Sequence, residues 1–309
     1  MQPASAPPAP GAARRVVVGA AWAIVLATSL LPTVVLQELF GVAVPLGPRT
    51  VIALAVLAVA ALLTLPAAPL RALRPLIVVI AALVGGRWIA FGLIASLPAV
   101  HSLTADGRFA VSMPAEVVLN GLVTLVMVAV LMALTRDRHA FYLARGDLSA
   151  PAQPVAWMGI GPGATWMRVG PVLAVAISGG TLAFLVLSGS PSGGMLGVVI
   201  ATLPAILFAA AMNAINEEVG YKASILSSLE GPLDRRDALR MTAAYFGIAH
   251  FYGVPYGIIG VALAWFLGWV LARSMLETRG IAWAWFIHFL QDVLIFAFMA
   301  AVAIVPGGA

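Results

Sequence analysis

No cysteine occurs in the 309 residues of the chain. Disulfides, thiolate nucleophiles, cysteine-ligated zinc and prenylation of the chain itself are excluded with it. Charge is the second scarcity. Lys, Arg, Asp and Glu make up 9% of the residues, where soluble domains carry about a quarter. Lysine appears once, at Lys222. What fills the sequence instead is apolar, at 62%, enough for eight or nine spans of roughly 20 residues each. The expected fold class is therefore all-α, a polytopic transmembrane helical bundle of eight or nine helices in a lipid bilayer. The net charge of +5 is spread over short loops, which suits topology signalling rather than a polyanion-binding surface. Nucleic acid is not an expected partner.

Continuous hydrophobicity places spans near 16–36, 51–66, 76–97, 115–134, 171–188, 196–229, 238–252, 256–275 and 281–305, with Pro204 a candidate break. Residues 1–15 begin with a Pro- and Ala-rich stretch and read as a disordered cytoplasmic tail. Residues 16–135 form an N-terminal membrane region of four helices, 136–169 a cytoplasmic loop, and 170–305 a second membrane region. Thirteen of the 17 basic residues fall on one side of this layout, so that side and the amino terminus are expected to be cytoplasmic. Arg87 falls inside a span and reads as a snorkelling or paired charge. The loop carries Gly159 to Thr165, GIGPGAT, but no strand precedes it and no Gly-Lys-Ser/Thr follows. A nucleotide is not an expected partner either. No internal repeat or pair of matching broken helices is evident, which counts against a transporter.

Ionisable groups in hydrocarbon cost several kcal/mol unless paired or wet, so each is a functional candidate. In the second membrane region these are Glu217, Glu218, Lys222, His250, His288 and Asp292. His250 stands ten residues beyond Arg240 and His288 nine beyond Arg279; at 1.5 Å per residue, each lies roughly 13–15 Å deep. Glu217 precedes Glu230 by thirteen residues on a helix running the other way, a depth of roughly 20 Å. Three segments thus bring an acid and two imidazoles to similar depth. Glu218 and Lys222 have the spacing and order of a helical ion pair. Glu217 is rotated about 100° from Glu218 and can face elsewhere, towards a cavity with Asn213 one turn before it. Asp292 lies four residues after His288 and can fix its tautomer or complete a polar pocket. Trp283 and Trp285 read as interfacial belt aromatics.

A carboxylate in such a site can deprotonate water, a nearby imidazole can relay the proton, and a second imidazole can donate to a developing oxyanion. Together these parts hydrolyse a peptide bond without a covalent intermediate. Alternatively, Glu217, His250 and His288 form a zinc or other divalent-metal ligand set with one position left for water. The residues leave both versions open. No cofactor is required by the first.

The order Glu217-Glu218-Val-Gly-Tyr221-Lys222, then Phe246-Gly-Ile-Ala-His250, then His288-Phe-Leu-Gln-Asp292 resembles the three motifs of a known family. These are the CAAX prenyl endopeptidase type II and bacteriocin-processing (CPBP) intramembrane proteases. Their motifs are Glu-Glu-x-x-x-Arg, Phe-x-x-x-His and His-x-x-x-Asn/Asp. The resemblance implies that 170–305 is the protease core and that the partner is a membrane-associated protein or peptide substrate. It assigns water activation to Glu217 with His250, oxyanion stabilisation to His288 and Asp292, and support to Glu218. One position departs: Lys222 stands where the family has Arg, keeping the charge without the planar fork. A non-catalytic membrane immunity or chaperone factor, and a proton-coupled transporter, are the competing functions. One lysine against sixteen arginines, with abundant Ala, Gly and Pro, hints at a GC-rich bacterial genome and hence a plasma-membrane protein.

Overall fold

The structure, a computed structural model, describes residues 11–189 and 195–302. Residues 1–10 of the expected tail and the last three of the 281–305 span lie outside the described residues. Among the described residues the fold is helical, with only isolated bridges in place of strands. Eight helical stretches are long and apolar enough to cross a membrane: Gly11–Thr28, Leu46–Leu63, Ala68–Ser96, Phe109–Thr135, Trp166–Gly189, Met195–Leu229, Ile258–Thr278 and Ala282–Val302. The chain forms two compact units. Unit 1 comprises described residues up to Ile89 with Val126–Phe141 and Val219–Arg273; unit 2 comprises Ala90–Leu125, Tyr142–Glu218 and the chain from Ser274.

Unit 1 opens with α1 (Gly11–Thr28), which takes in residues 11–15 of the expected tail, and α2 (Leu31–Phe40). The expected single span 16–36 is thus two helices. Thr28 Oγ1 donates to the Ile24 carbonyl at 2.6 Å, and Ser29 Oγ donates to the Leu26 carbonyl at 2.8 Å. Ser29 Oγ also accepts from the Leu31 amide at 3.1 Å. Side chains here compete with the helical ladder, and Pro32 then starts α2. Helix α3 (Leu46–Leu63) packs on α1 and α4 (Arg74–Arg87). Leu76, Val79, Ile80 and Leu83 of α4 are buried.

The second half of unit 1 holds α9 (Ser224–Leu229), α10 (Arg235–Ile248) and α11 (Ile258–Thr278) up to Arg273. Asp234 caps α10 by accepting the Asp237 amide at 2.8 Å and is ion-paired with Arg14. Helix α10 corrects the expectation of a span at 238–252. Its 14 residues reach roughly 21 Å, short of a ~30 Å hydrocarbon core. Ala238, Leu239, Met241, Ala243, Tyr245 and Phe246 are all buried, so the helix is a core element of its unit. It meets α11 at Gly268, where an added Cβ would lie 2.8 Å from the Phe246 ring.

Unit 2 is built on α12 (Ala282–Val302), which packs against α7 (Trp166–Gly189) and α8 (Met195–Glu217). Ile206, Ala209, Ala210, Phe296 and Ala300 form its core with Phe109 and Val117 of α6 (Phe109–Thr135). Alanines at the contact let the helix backbones approach. Asn216 ties α8 to α6, donating to the Val117 carbonyl at 2.8 Å and accepting from Thr124 Oγ1 at 2.8 Å. The expected break at Pro204 is not seen; α8 runs through it, and the helix loosens instead into a π segment at Glu218–Ala223.

The connection 142–165 is strapped to the turn between α11 and α12. Glu277 accepts from Trp166 Nε1 at 2.8 Å and from the Gln153 amide at 3.1 Å. Trp283 is not a belt aromatic: it is buried, donates from Nε1 to the Leu148 carbonyl at 3.0 Å, and packs where a Cβ on Gly170 would sit. Trp285 likewise donates to the Ala211 carbonyl at 3.1 Å and stacks on Phe289.

Candidate functional site

The polar residues of unit 2 converge on one imidazole. His288, on α12, is 4% exposed, and its two ring nitrogens meet acids that end α8. Glu218 Oε1 accepts from Nδ1 at 2.7 Å, a short charge-assisted bond. Glu217 Oε2 lies 3.5 Å from Nε2, and Asp292 Oδ1 lies 3.6 Å from the same nitrogen. Asn213 Nδ2 donates to the other Asp292 oxygen at 3.0 Å. The structure therefore brings together Glu217, Glu218, His288, Asp292 and Asn213.

One expectation is corrected here. Glu217 and Glu218 do not face apart; both reach the same ring, one at each nitrogen. Of the two roles open to Asp292 it takes the second, completing the polar pocket, since at 3.6 Å it is beyond hydrogen-bond reach and does not fix the tautomer. That role falls to Glu218. An ionised carboxylate only accepts, so Nδ1 carries the proton and Nε2 is the nitrogen turned to Glu217 and Asp292. The two glutamates also differ in access. The Glu217 side chain is 17% exposed and that of Glu218 is 0%. Only the first keeps any exposed surface.

His250 and Lys222 belong to unit 1 and centre on Phe246. His250 does not lie within a span, since α10 ends at Ile248 and His250 sits in the turn beyond it. Its Nδ1 is 2.8 Å from the Phe246 carbonyl. A carbonyl can only accept, so Nδ1 is protonated and, in the neutral ring, Nε2 is the accepting nitrogen. The imidazole also packs on the Phe246 ring, centroids 4.4 Å apart. Lys222 is fully buried, with Nζ 3.4 Å from the Phe246 ring centroid. That desolvated cation–π contact stabilises by about 2 kcal/mol.

Among the described residues no three or more His, Asp or Glu side chains are gathered as metal ligands, and His288 Nδ1 is already engaged by Glu218. The residues as arranged do not fit a preformed ion site, and no step below passes through one. Several contributors carried no readable signal in sequence. Asn216, Glu277 and the indole of Trp285 acquire partners 74 to 124 residues away, which no local spacing announces.

Residues 199–294 match the family model described as Type II CAAX prenyl endopeptidase Rce1-like. This bears out the resemblance carried by the three motifs and supports a peptidase of the membrane. No curated protein and no solved structure matches the chain.

Proposed function

We propose that the chain is an intramembrane endopeptidase that hydrolyses a peptide bond of a membrane-associated protein or peptide. The observation that carries the reading is the partly exposed Glu217 beside His288 Nε2, with the opposite nitrogen held by fully buried Glu218. Glu217 takes a proton from water, and the hydroxide so formed attacks the scissile carbonyl. With His288 as the imidazolium, its Nδ1–H held by Glu218, the Nε2–H donates to the tetrahedral oxyanion. Glu217 then returns the proton to the leaving amine, and the C–N bond breaks. Asn213 holds Asp292 at the edge of this space. His250 is added by the family resemblance as the partner of Glu217. Substrate, bilayer and a bacterial plasma membrane with a cytoplasmic amino terminus belong to the same proposal.

The test is cleavage of a quenched-fluorescent peptide set by purified protein in liposomes. Glu217→Ala, His250→Ala and His288→Ala each abolish cleavage while helix content and size-exclusion profile stay those of the wild type. Undiminished cleavage by folded Glu217→Ala refutes the proposal. Elemental analysis of active protein decides the metal version: one equivalent of zinc or another divalent ion, lost together with activity on chelation, establishes it.

Lys222 favours a second reading. Its departure from the family Arg leaves room for a non-catalytic immunity or chaperone factor, for which Glu217→Ala protein retains full complementation in cells.

A further inference from the structure

The connection 142–165 lacks what a loop in water ordinarily has. From Leu148 to Met167 the chain carries no Asp, Glu, Lys or Arg, where about a quarter of the residues in a soluble domain are charged. Charge resumes on either side, with Arg145 and Asp147 before and Arg168 after. Nor is the segment slack. Residues 150–166 double back as a narrow antiparallel ribbon, bridged at Pro151 with Thr165 and at Val155 with Ile160. The Ala152 amide donates to the Ala164 carbonyl at 2.9 Å, and Val155 and Ile160 exchange bonds of 2.8 and 3.2 Å. A tight turn at Ala156–Met158, ended by left-handed Gly159, closes the apex.

Trp157 stands at that apex and is 71% exposed. The indoles at the foot of the ribbon are treated differently. Trp166 and Trp283 are buried, and they donate to Glu277 and to the Leu148 carbonyl. Two indoles thus fasten the foot, while the third is held out by a backbone whose hydrogen bonds leave it little freedom.

The foot also fixes where the apex can be. Trp166 is the first residue of α7, and the strap reaches the turn that opens α12. Both helices are long and apolar enough to cross a membrane, so the ribbon springs from a bilayer boundary. Trp157 is nine residues from Trp166, at most roughly 30 Å of extended chain. Tryptophan prefers the headgroup level of a bilayer. Arg145 and Arg168, both exposed, flank the ribbon with the charge that anionic headgroups attract.

We propose that the 150–166 ribbon is a membrane-surface anchor, seating Trp157 in the headgroup–acyl boundary of the leaflet where α7 begins. An uncharged tip between two basic ends complements an anionic headgroup layer above an apolar interior. The anchor is independent of the peptidase reading and stands or falls alone.

Because the chain has no cysteine, one introduced thiol is a unique label. Full-length Ala156→Cys protein, carrying a nitroxide beside Trp157, is placed in liposomes of phosphatidylglycerol and phosphatidylcholine. Its electron paramagnetic resonance is power-saturated with oxygen, which collects in lipid, and with a nickel chelate, which stays in water. Gly107→Cys, in the exposed turn before α6, is the aqueous reference. The apex label should be relaxed by oxygen and be at least about threefold less accessible to nickel than the reference. Adding Trp157→Ala should raise its nickel accessibility to that of the reference. An apex label as open to nickel as the reference overturns the anchor. Protection from both reagents also overturns it, since that marks a protein contact, as does lipid seating that Trp157→Ala leaves unchanged. The Ala156→Cys label decides the seating by itself, whether or not the alanine variant folds.

Discussion

Replacing Glu217 or Glu218 by Ala should separate stability from chemistry, although the two residues are neighbours in sequence. Glu218 is wholly buried and holds His288 Nδ1 at 2.7 Å. Deleting one partner of a buried, hydrogen-bonded ionisable pair costs about 3–5 kcal/mol, because the other is left desolvated. Glu217 stands 3.5 Å from Nε2, makes a longer contact than Glu218 and is 17% exposed. Its loss costs less, about 1–3 kcal/mol. In rate the order reverses. Removing the general base lowers cleavage by about 10²–10⁴-fold, whereas Glu218→Gln, which keeps an acceptor at Nδ1, loses only part of the charge assistance, about 1–2 kcal/mol.

Equilibrium unfolding in mixed detergent and dodecyl sulfate micelles, followed by circular dichroism, measures the first axis and needs no substrate. Liposome cleavage measures the second. Expected are a folded, inactive Glu217→Ala protein and a markedly destabilised Glu218→Ala protein. Equal destabilisation by the two substitutions, or a larger loss for Glu217→Ala, refutes the assignment of base and brace.

Two further outcomes follow from single contacts. Lys222→Arg overfills a fully buried site over the Phe246 ring and should cost about 1–3 kcal/mol in the same unfolding experiment, even though Arg is the family's usual residue; a stabilised variant would show that the fork finds a better partner than the ring. Asp106, in the exposed turn before α6, has its carboxyl held down to about 2 by hydrogen bonds from the Arg108 side chain and backbone. A folded value below the unfolded one stabilises the turn above the unfolded value, and this is lost as pH falls towards the folded one. Carbon-detected NMR of the Asp106 carboxyl should place its midpoint near 2; a midpoint at an ordinary carboxylate value sinks the pairing.

Much of this was open to reading along the chain because membrane burial leaves a loud one-dimensional signal. Runs of apolar residues located all eight spanning stretches, and rarity alone singled out Glu217, Glu218, His288 and Asp292. Failures came where local chemistry overrode hydrophobicity. Thr28 and Ser29 are small enough to pass inside an apolar run, yet their hydroxyls end α1. Helix α10 is amphipathic, with Ala238, Leu239, Met241, Ala243, Tyr245 and Phe246 in the core of its unit, and such a buried run resembles a short span in sequence. Trp283 and Trp285 have an interfacial composition but packed, hydrogen-bonded surroundings.

The reading of the paired glutamates failed for a deeper reason, and the reason bears on mechanism. A regular α-helix turns about 100° per residue, so adjacent carboxylates should address different neighbours. Here α8 ends at Glu217 and Glu218 opens a π segment, a distortion that widens the helix and is frequent at functional sites. With the ladder relaxed at that junction, both side chains reach one imidazole from opposite edges. A single ring is thereby gripped at Nδ1 by a fully buried acid and faced at Nε2 by one that keeps partial exposure. Two glutamates in a row are thus not a duplicated charge. The backbone irregularity between them makes one a fixed brace and leaves the other available as a base, and an uninterrupted helix through Ala223 would lose that division.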